Sequence, residues 1–183
     1  EKLIKIGHDV TALCYYNSFS SIGNLIYLDK KILKKVKIKH GDIRDKDFIE
    51  KLVKGKDYVF NLAALIGIPY SYDAYDSYLD TNIKGTLNLL SAIKKNPKNF
   101  LVPTSTSEAD QLVVSFLKSF NIKGCIVRPF NTFGPRQSLR AIIPTAINQI
   151  INKPKNIYFG NLNTYRDLTY IEDTIDAFCL CIK

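Results

Sequence analysis

Asp57-Tyr58-Val59-Phe60-Asn61-Leu62 decides the fold. It is short, apolar and aromatic, and it reads as a buried strand. On its N-terminal side, Asp45 opens a helix through Val53, with Gly55 just past the end. On its C-terminal side, a longer helix runs from about Tyr75 to Lys95 and stops at Asn96-Pro97. The same alternation continues outward. Val10-Thr11-Ala12-Leu13-Cys14-Tyr15 reads as a first buried strand, after a short opening helix capped by Gly7 and before a polar loop with Ser18, Ser20, Ser21, Gly23 and Asn24. Val36 to Lys39 is a second strand ending at Gly41-Asp42, and Phe100 to Thr104 is a fourth, with Pro103 at its end. Asp110 to Phe120 is an amphipathic helix, and Gly124 to Arg128 a fifth strand. Ile142 to Ile151 and Ile171 to Ile182 read as helices. Apolar strands alternating with helices give an α/β fold with a parallel sheet and helical crossovers.

The 183 residues suffice for a domain with a real core, and 46% hydrophobic with 23% charged residues is an ordinary globular balance. No apolar run approaches the ~20 residues that span a bilayer. The opening Glu1-Lys2-Leu3-Ile4-Lys5 has the pattern of a helix interior, not of a secretory leader. The net charge of +9 comes from scattered lysines, with one modest cluster from Lys30 to Lys39. That pattern favours a lysine-rich surface over a nucleic-acid footprint and is compatible with an anionic substrate. Cys14, Cys125, Cys179 and Cys181 form no C-x-x-C pair, and His8 and His40 are not near them in sequence. This argues against a zinc site or a disulfide framework and fits a reducing cytoplasm. Cys14 and Cys125 fall in apolar strand-like runs, which predicts burial.

Parallel sheets carry ligands beyond the carboxyl ends of their strands. At the second strand end, Asp42 either accepts from an adenine amino group or serves as a turn residue, and Asp45 reads as a helix cap. At the third, Ala63 and Ala64 permit close approach by a ligand or by a packed helix. Asn82, in the next helix, either bonds to neighbouring backbone or is a surface residue. After the fourth come Ser105-Thr106-Ser107-Glu108. These are hydroxyls able to donate to a carbonyl oxygen and a carboxylate able to take a proton, or else a capping box. Arg166 could fork onto a diphosphate or pair with Asp167 or Asp173.

Six stretches occur in one order along nearly the whole chain: Gly41-Asp42-Ile43-Arg44-Asp45, Asn61-Leu62-Ala63-Ala64, Thr81-Asn82-Ile83-Lys84-Gly85-Thr86, Ser105-Thr106-Ser107-Glu108, Arg128-Pro129-Phe130-Asn131-Thr132-Phe133-Gly134-Pro135-Arg136 and Arg166-Asp167-Leu168-Thr169-Tyr170-Ile171-Glu172-Asp173. Together they resemble the nucleotide-sugar epimerases and dehydratases of the extended short-chain dehydrogenase/reductase family. The resemblance implies a Rossmann-type doubly wound parallel sheet over residues 1–135. Residues 136–183 would be part of a small substrate domain, with the Ile171–Ile182 helix returning to the main one. It implies NAD, with NADP as the alternative, a nucleotide-diphosphate sugar as substrate, and a cytoplasmic homodimer with no nucleic-acid or membrane partner. Glu108 resembles the base of the 4,6-dehydratases, Thr106 the hydroxyl that bonds the C4 oxygen, and Ser107 a residue where some dehydratases carry aspartate. The Thr-Ser-Glu version is similar to that of GDP-mannose dehydratases and of the dehydratases of the legionaminic acid pathway, whose substrates are nucleotide-linked N-acetylglucosamine. By the same resemblance, Asp42, Ile43, Leu62, Ala63, Ala64, Asn82, Thr104, Pro129 and Phe130 lie on the cofactor side, and Ser71, Asn131, Arg140 and Arg166 on the substrate side.

The sequence departs from that pattern in three places. The family's first strand and glycine-rich phosphate loop do not precede Glu1. Glu108 is followed directly by Ala109-Asp110-Gln111-Leu112. The family places a Tyr-x-x-x-Lys helix between these, so roughly forty residues are skipped. The chain also stops before most of the substrate domain. Without that tyrosine the C4 hydroxyl has no acid/base partner. The chain as written is therefore expected to be inactive, and to be an incomplete record of a longer protein.

Overall fold

Buried parallel strands need helices on their faces, and helices need an apolar stripe to lay there. The computed structural model describes residues 1–104, 109–152 and 155–183. It divides into two units, Glu1–Arg128 with Phe178–Lys183, and Pro129–Ala177.

The first unit opens with helix α1 (Lys2–Lys5), which turns at Gly7 with φ of 95° into strand β1 (Val10–Tyr15). Strand β2 (Val36–Gly41) runs parallel to β1, in register from Val10↔Val36 to Tyr15↔Gly41. Strands β3 (Tyr58–Asn61) and β4 (Phe100–Pro103) form a second parallel ladder, from Tyr58↔Phe100 to Asn61↔Pro103. The two ladders begin side by side. His8, just before β1, sets its ring edge-on to Tyr58 at 6.1 Å, and Lys56 donates to the Thr11 hydroxyl at 3.0 Å. β2 carries Lys37 and Lys39 exposed, alternating with half-buried Val36 and Ile38. That alternation suits an edge strand, where charge discourages further pairing.

After α1, the α-helices of this unit among the described residues include α2 (Lys30–Leu33), α3 (Lys46–Val53), α4 (Ile68–Asp73), α5 (Tyr75–Tyr78), α6 (Gly85–Lys94) and α7 (Asp110–Ser119). The Asp45 carboxylate caps α3 by accepting from the Phe48 amide at 3.0 Å, as its spacing predicts. The core joins Ile49 and Val53 of α3, Leu89, Leu90 and Ile93 of α6, and Leu101 of β4. Leu90 and Ile93 have no exposed surface. Full burial of such side chains contributes roughly 1.5–3 kcal/mol each.

Three local expectations are corrected. The helix expected from Tyr75 to Lys95 is interrupted by a π-helical stretch, Leu79–Lys84, between α5 and α6. There the Asn82 amide turns aside to bond the Leu65 backbone. The expected strand from Gly124 to Arg128 lies along β4 only through bridges at Leu101↔Gly124 and Thr104↔Val127. A Cβ on Gly124 would come within 2.5 Å of the Leu101 carbonyl oxygen, so the close approach requires glycine. Cys125, expected to be buried, is exposed because this segment forms an open margin beside β4, whereas Cys14 is half-buried.

The second unit contains β5 (Asn131–Phe133), α8 (Ile142–Ile151) and β6 (Leu168–Tyr170), and α9 (Ile171–Leu180) starts in it. β5 and β6 pair in parallel, although the sequence reads Asn131–Phe133 as loop. Phe133 and Tyr170 pack with ring centroids 5.5 Å apart, and Gly134 admits Ile171 where a Cβ would meet it at 2.4 Å. The helix expected from Ile171 to Ile182 ends at Leu180, and its last residues, from Phe178, belong to the first unit. No helix among the described residues is long and apolar enough to cross a membrane.

Leu90→Ala is expected to cost about 2–5 kcal/mol in urea unfolding, because the site is fully enclosed. Asp45→Ala removes one cap and is expected to cost only about 1 kcal/mol.

Candidate functional site

The carboxyl ends of the four strands of the first unit present the residues that follow Tyr15, Gly41, Asn61 and Pro103. At the end of β1 the Asn17 side chain organises the loop. Its amide nitrogen donates to the Tyr15 and Ser21 carbonyls, and its oxygen accepts from the Phe19 and Ser21 amides. Ser20 takes φ of 51° within this loop. The loop and β1 border an open depression of about 380 Å³ lined by residues including Leu13, Tyr15, Asn17, Ile22 and Leu25. Sequence reading missed Asn17. The available signal was an asparagine two residues beyond a strand, in a serine- and glycine-rich stretch, where its side chain can bond backbone.

At the end of β2, Asp42 is both a turn residue and an ion-pair partner. Its Oδ1 accepts from the Arg44 amide at 2.9 Å, and Arg44 forks onto both oxygens through Nε and Nη2, the latter at 2.6 Å. The Arg44 guanidinium holds the Asp42 carboxyl below its ordinary value. Arg44 also reaches the Tyr15 hydroxyl at 3.3 Å, bringing a cation to the end of β1. Ile43, next in chain, is 7% exposed and belongs to the core, so what it offers a ligand is backbone rather than side chain.

At the end of β3, Leu62 and Ala63 are exposed and Ala64 is half-buried. Asn61 accepts from the Ala63 amide at 3.3 Å and approaches the Thr86 hydroxyl at 3.5 Å. Asn82 is 3% exposed, and its side chain acts as a backbone mimic for the loop. Its oxygen accepts from Leu65 N at 2.9 Å and its nitrogen donates to Leu65 O at 3.0 Å. Ser71 donates to the Ile68 carbonyl at 2.7 Å within α4.

At the end of β4, Thr104 N donates to the Asn61 carbonyl at 2.9 Å, while the Thr104 hydroxyl is buried with no hydrogen-bond partner among the described residues. A buried hydroxyl without a partner costs about 1–3 kcal/mol, so its presence at the ligand edge of a sheet is informative. Ser105, Thr106, Ser107 and Glu108, which follow it, lie outside the described residues.

Pro129, Phe130, Asn131, Arg140 and Arg166 belong to the second unit. Pro129, Phe130 and Asn131 are exposed, and Asn131 pairs in the ladder opposite Leu168. Arg140 donates to the Ser138 hydroxyl from its amide and its Nε. Arg166 donates to the Tyr165 carbonyl at 3.5 Å. A cavity of about 260 Å³ in this unit is lined by residues including Asn131, Thr132, Gln137, Ile142 and Leu168. The Gln137 oxygen is buried without a partner beside it. No group of three metal-ligating side chains occurs among the described residues.

Parallel ladders crossed by helices, with loops and polar groups gathered at the strands' carboxyl ends, define a Rossmann-type α/β protein. The family model described as GDP-mannose 4,6 dehydratase matches residues 1–109, and that described as NAD dependent epimerase/dehydratase family matches residues 106–183. The chain belongs to the extended short-chain dehydrogenase/reductase family, among its nucleotide-sugar epimerases and dehydratases. It is similar to a low-salt glycan biosynthesis protein of Haloferax volcanii, 26% identical, with 78% of this chain and 55% of the relative covered. It is also similar to the dTDP-D-glucose 4,6-dehydratase of Dictyostelium discoideum, 27% identical, with 90% and 47% covered. Among solved structures, the UDP-N-acetylglucosamine 4-epimerase of Methanobrevibacter ruminantium, in complex with UDP-N-acetylmuramic acid, superimposes with a TM-score of 0.84 at 27% identity, over 98% of this chain and 66% of that one. The chain spans about half the length of the curated relatives it matches. The Dictyostelium alignment has 205 positions but takes in 90% of 183 residues, about 165, so about 40 positions have no counterpart here. The two family matches meet at residues 106–109.

Two outcomes test this geometry. Asn82→Ala leaves both Leu65 backbone groups without their partner and is expected to cost about 1–3 kcal/mol. It should also speed proteolysis at the Leu62–Gly67 loop. The Asp42 carboxyl is depressed in the folded state, so its contribution to stability is complete above its ordinary value of 3.8 and is lost as pH falls below that. Melting curves between pH 6 and pH 3 should therefore show a shallower acid decline for Asp42→Asn than for the parent.

Proposed function

We propose that the protein to which this chain belongs is a nucleotide-sugar 4,6-dehydratase acting on a nucleotide-linked N-acetylhexosamine, with NAD as cofactor. The observation that carries the reading is the end of β4. A buried Thr104 hydroxyl, without a partner among the described residues, stands at the carboxyl end of the strand, and Ser105-Thr106-Ser107-Glu108 follow it directly in sequence. A carboxylate four residues past that hydroxyl supplies a base that an epimerase does not need.

The strand-end residues present fit the part of a dinucleotide that would lie along them. An open depression of about 380 Å³ lies at the end of β1, Asp42 and the Ile43 backbone stand at the end of β2, and Leu62, Ala63 and Ala64 leave room at the end of β3. The family description supports NAD. A bound NAD would supply the hydride chemistry, oxidation at sugar C4 and reduction at C6. This chain's residues would do the rest. Thr106 donates a hydrogen bond to the C4 oxygen, with Ser107 beside it. The 4-ketone acidifies the C5 proton, Glu108 removes that proton, and the C6 hydroxyl leaves as water by taking up the proton that Glu108 then carries. Asn131 and Arg140 would contact the sugar nucleotide together with Ser71, and Arg166 would fork onto its diphosphate. Pro129, Phe130 and Asn82 would line the cofactor side.

The 183-residue chain itself is proposed to be inactive, because no Tyr-x-x-x-Lys helix stands between Glu108 and Ala109. The complete protein is proposed to be a cytoplasmic homodimer. A 4-epimerase reading has its own support in the likeness to the Methanobrevibacter ruminantium enzyme.

A panel of UDP-, GDP- and dTDP-sugars incubated with the complete gene product separates the two by mass. Dehydration is expected to give a product about 18 mass units lighter, the water of the elimination. An isobaric product with inverted C4 would overturn it in favour of epimerisation, and dinucleotide binding without any turnover would indicate a non-catalytic relative. Glu108→Gln should lower dehydration about 10²–10⁴-fold, the usual contribution of a positioned base.

A further inference from the structure

The described cysteines occupy different surroundings. Cys14 is half-buried in β1 and donates to the Ile22 carbonyl at 3.9 Å, and Cys179 is buried at 8% exposure. Cys125 and Cys181 instead meet. The Cys181 thiol donates to the Cys125 sulfur at 3.5 Å, between positions 56 residues apart in sequence and within the first unit. Cys125 is exposed and Cys181 half-buried, so the pair is open to solvent.

We propose that Cys125 and Cys181 form a redox-modification site, converted to an intramolecular disulfide by a low-molecular-weight disulfide such as oxidised glutathione. A disulfide holds its sulfurs about 2.05 Å apart, so the two must approach by roughly 1.5 Å. Both residues lie outside regular elements, Cys125 on the open margin beside β4 and Cys181 just past the end of α9. A χ1 adjustment with a small backbone shift can supply that movement.

The chemistry balances as two exchanges. The Cys125 thiolate attacks one sulfur of the small disulfide, forming a mixed disulfide and expelling one thiolate, which takes up the proton that Cys125 gave up. The Cys181 sulfur, losing its proton, then attacks the Cys125 sulfur and expels the second small thiol. Two protein S–H bonds are lost, one S–S bond forms, and the small disulfide is reduced by two electrons to two thiols. Exposure assigns the first attack to Cys125. Burial, and then the hydrogen bond to Cys125, push the Cys181 thiol up, which makes it the less ready of the two to attack first.

The test equilibrates the complete gene product with mixtures of oxidised and reduced glutathione, blocks remaining thiols at acid pH, and maps tryptic peptides without reduction. Cleavage after Lys123 and Arg136 isolates Cys125, because the Arg128-Pro129 bond resists trypsin, and cleavage after Arg166 places Cys179 and Cys181 on one peptide. The expected result is a link between these peptides, about two mass units below the sum of the reduced pair, the two hydrogens lost in exchange. The link should persist in Cys179→Ser and Cys14→Ser, and fall at least about tenfold in Cys125→Ser and in Cys181→Ser. A link that survives Cys181→Ser, or glutathione retained on Cys125 with no cross-link in the parent at the most oxidising mixture, overturns the proposal.

Discussion

The first unit depends on one helix that serves two purposes. Helix α6 and the π-helical stretch before it bury Leu89, Leu90 and Ile93 in the core and also carry Asn82, Thr86 and Asn88, all less than 9% exposed. A buried amide costs free energy unless both its ends are bonded, and this burial fixes where they point. Asn88 donates to the Ile43 and Arg44 carbonyls just past β2, the Thr86 hydroxyl meets the Asn61 amide at the end of β3, and Asn82 clasps Leu65 beyond it. The same helix that supplies hydrophobic burial therefore fixes the strand-end loops. It holds them where a parallel sheet offers a ligand site.

This arrangement accounts for the irregularities nearby. The π-helical stretch puts Asn82 opposite Leu65, and such bulges are frequent at functional sites. Gly85 lies against Ile43, where a Cβ would sit 2.7 Å from the Ile43 side chain. Ile43 is thus held by the helix while its neighbours Asp42 and Arg44 form their ion pair on the ligand side. The surroundings of Asp42 follow from core packing as much as from charge.

The likeness to epimerases and dehydratases sits comfortably with this scaffold, which is neutral between the two chemistries. Both need a dinucleotide beside a sugar, and both would use the ends of β1 to β4. What separates them is a proton-transfer residue at one strand end, and the proposal accordingly rests on Glu108 rather than on the fold.

Much of the first unit was legible in the sequence because its signals are local. Val10–Tyr15 is a strand to the residue, Asp45 caps α3, and Gly7 and Gly55 take the positive φ that their places after helices imply. Ile142–Ile151 is likewise helical over the range its apolar pattern indicates. The order of short motifs also carried the family. Other features came only from the tertiary structure, because each depends on a partner distant in sequence. The break at Leu79–Lys84 needs the Leu65 backbone, the approach of Arg44 to Tyr15 spans 29 residues, and the meeting of Cys125 with Cys181 spans 56. Periodicity reports which face of an element is apolar, but not what lies opposite that face. The sequence by itself therefore determined the elements and their kinship, and the tertiary structure decided which side chains share a strand end.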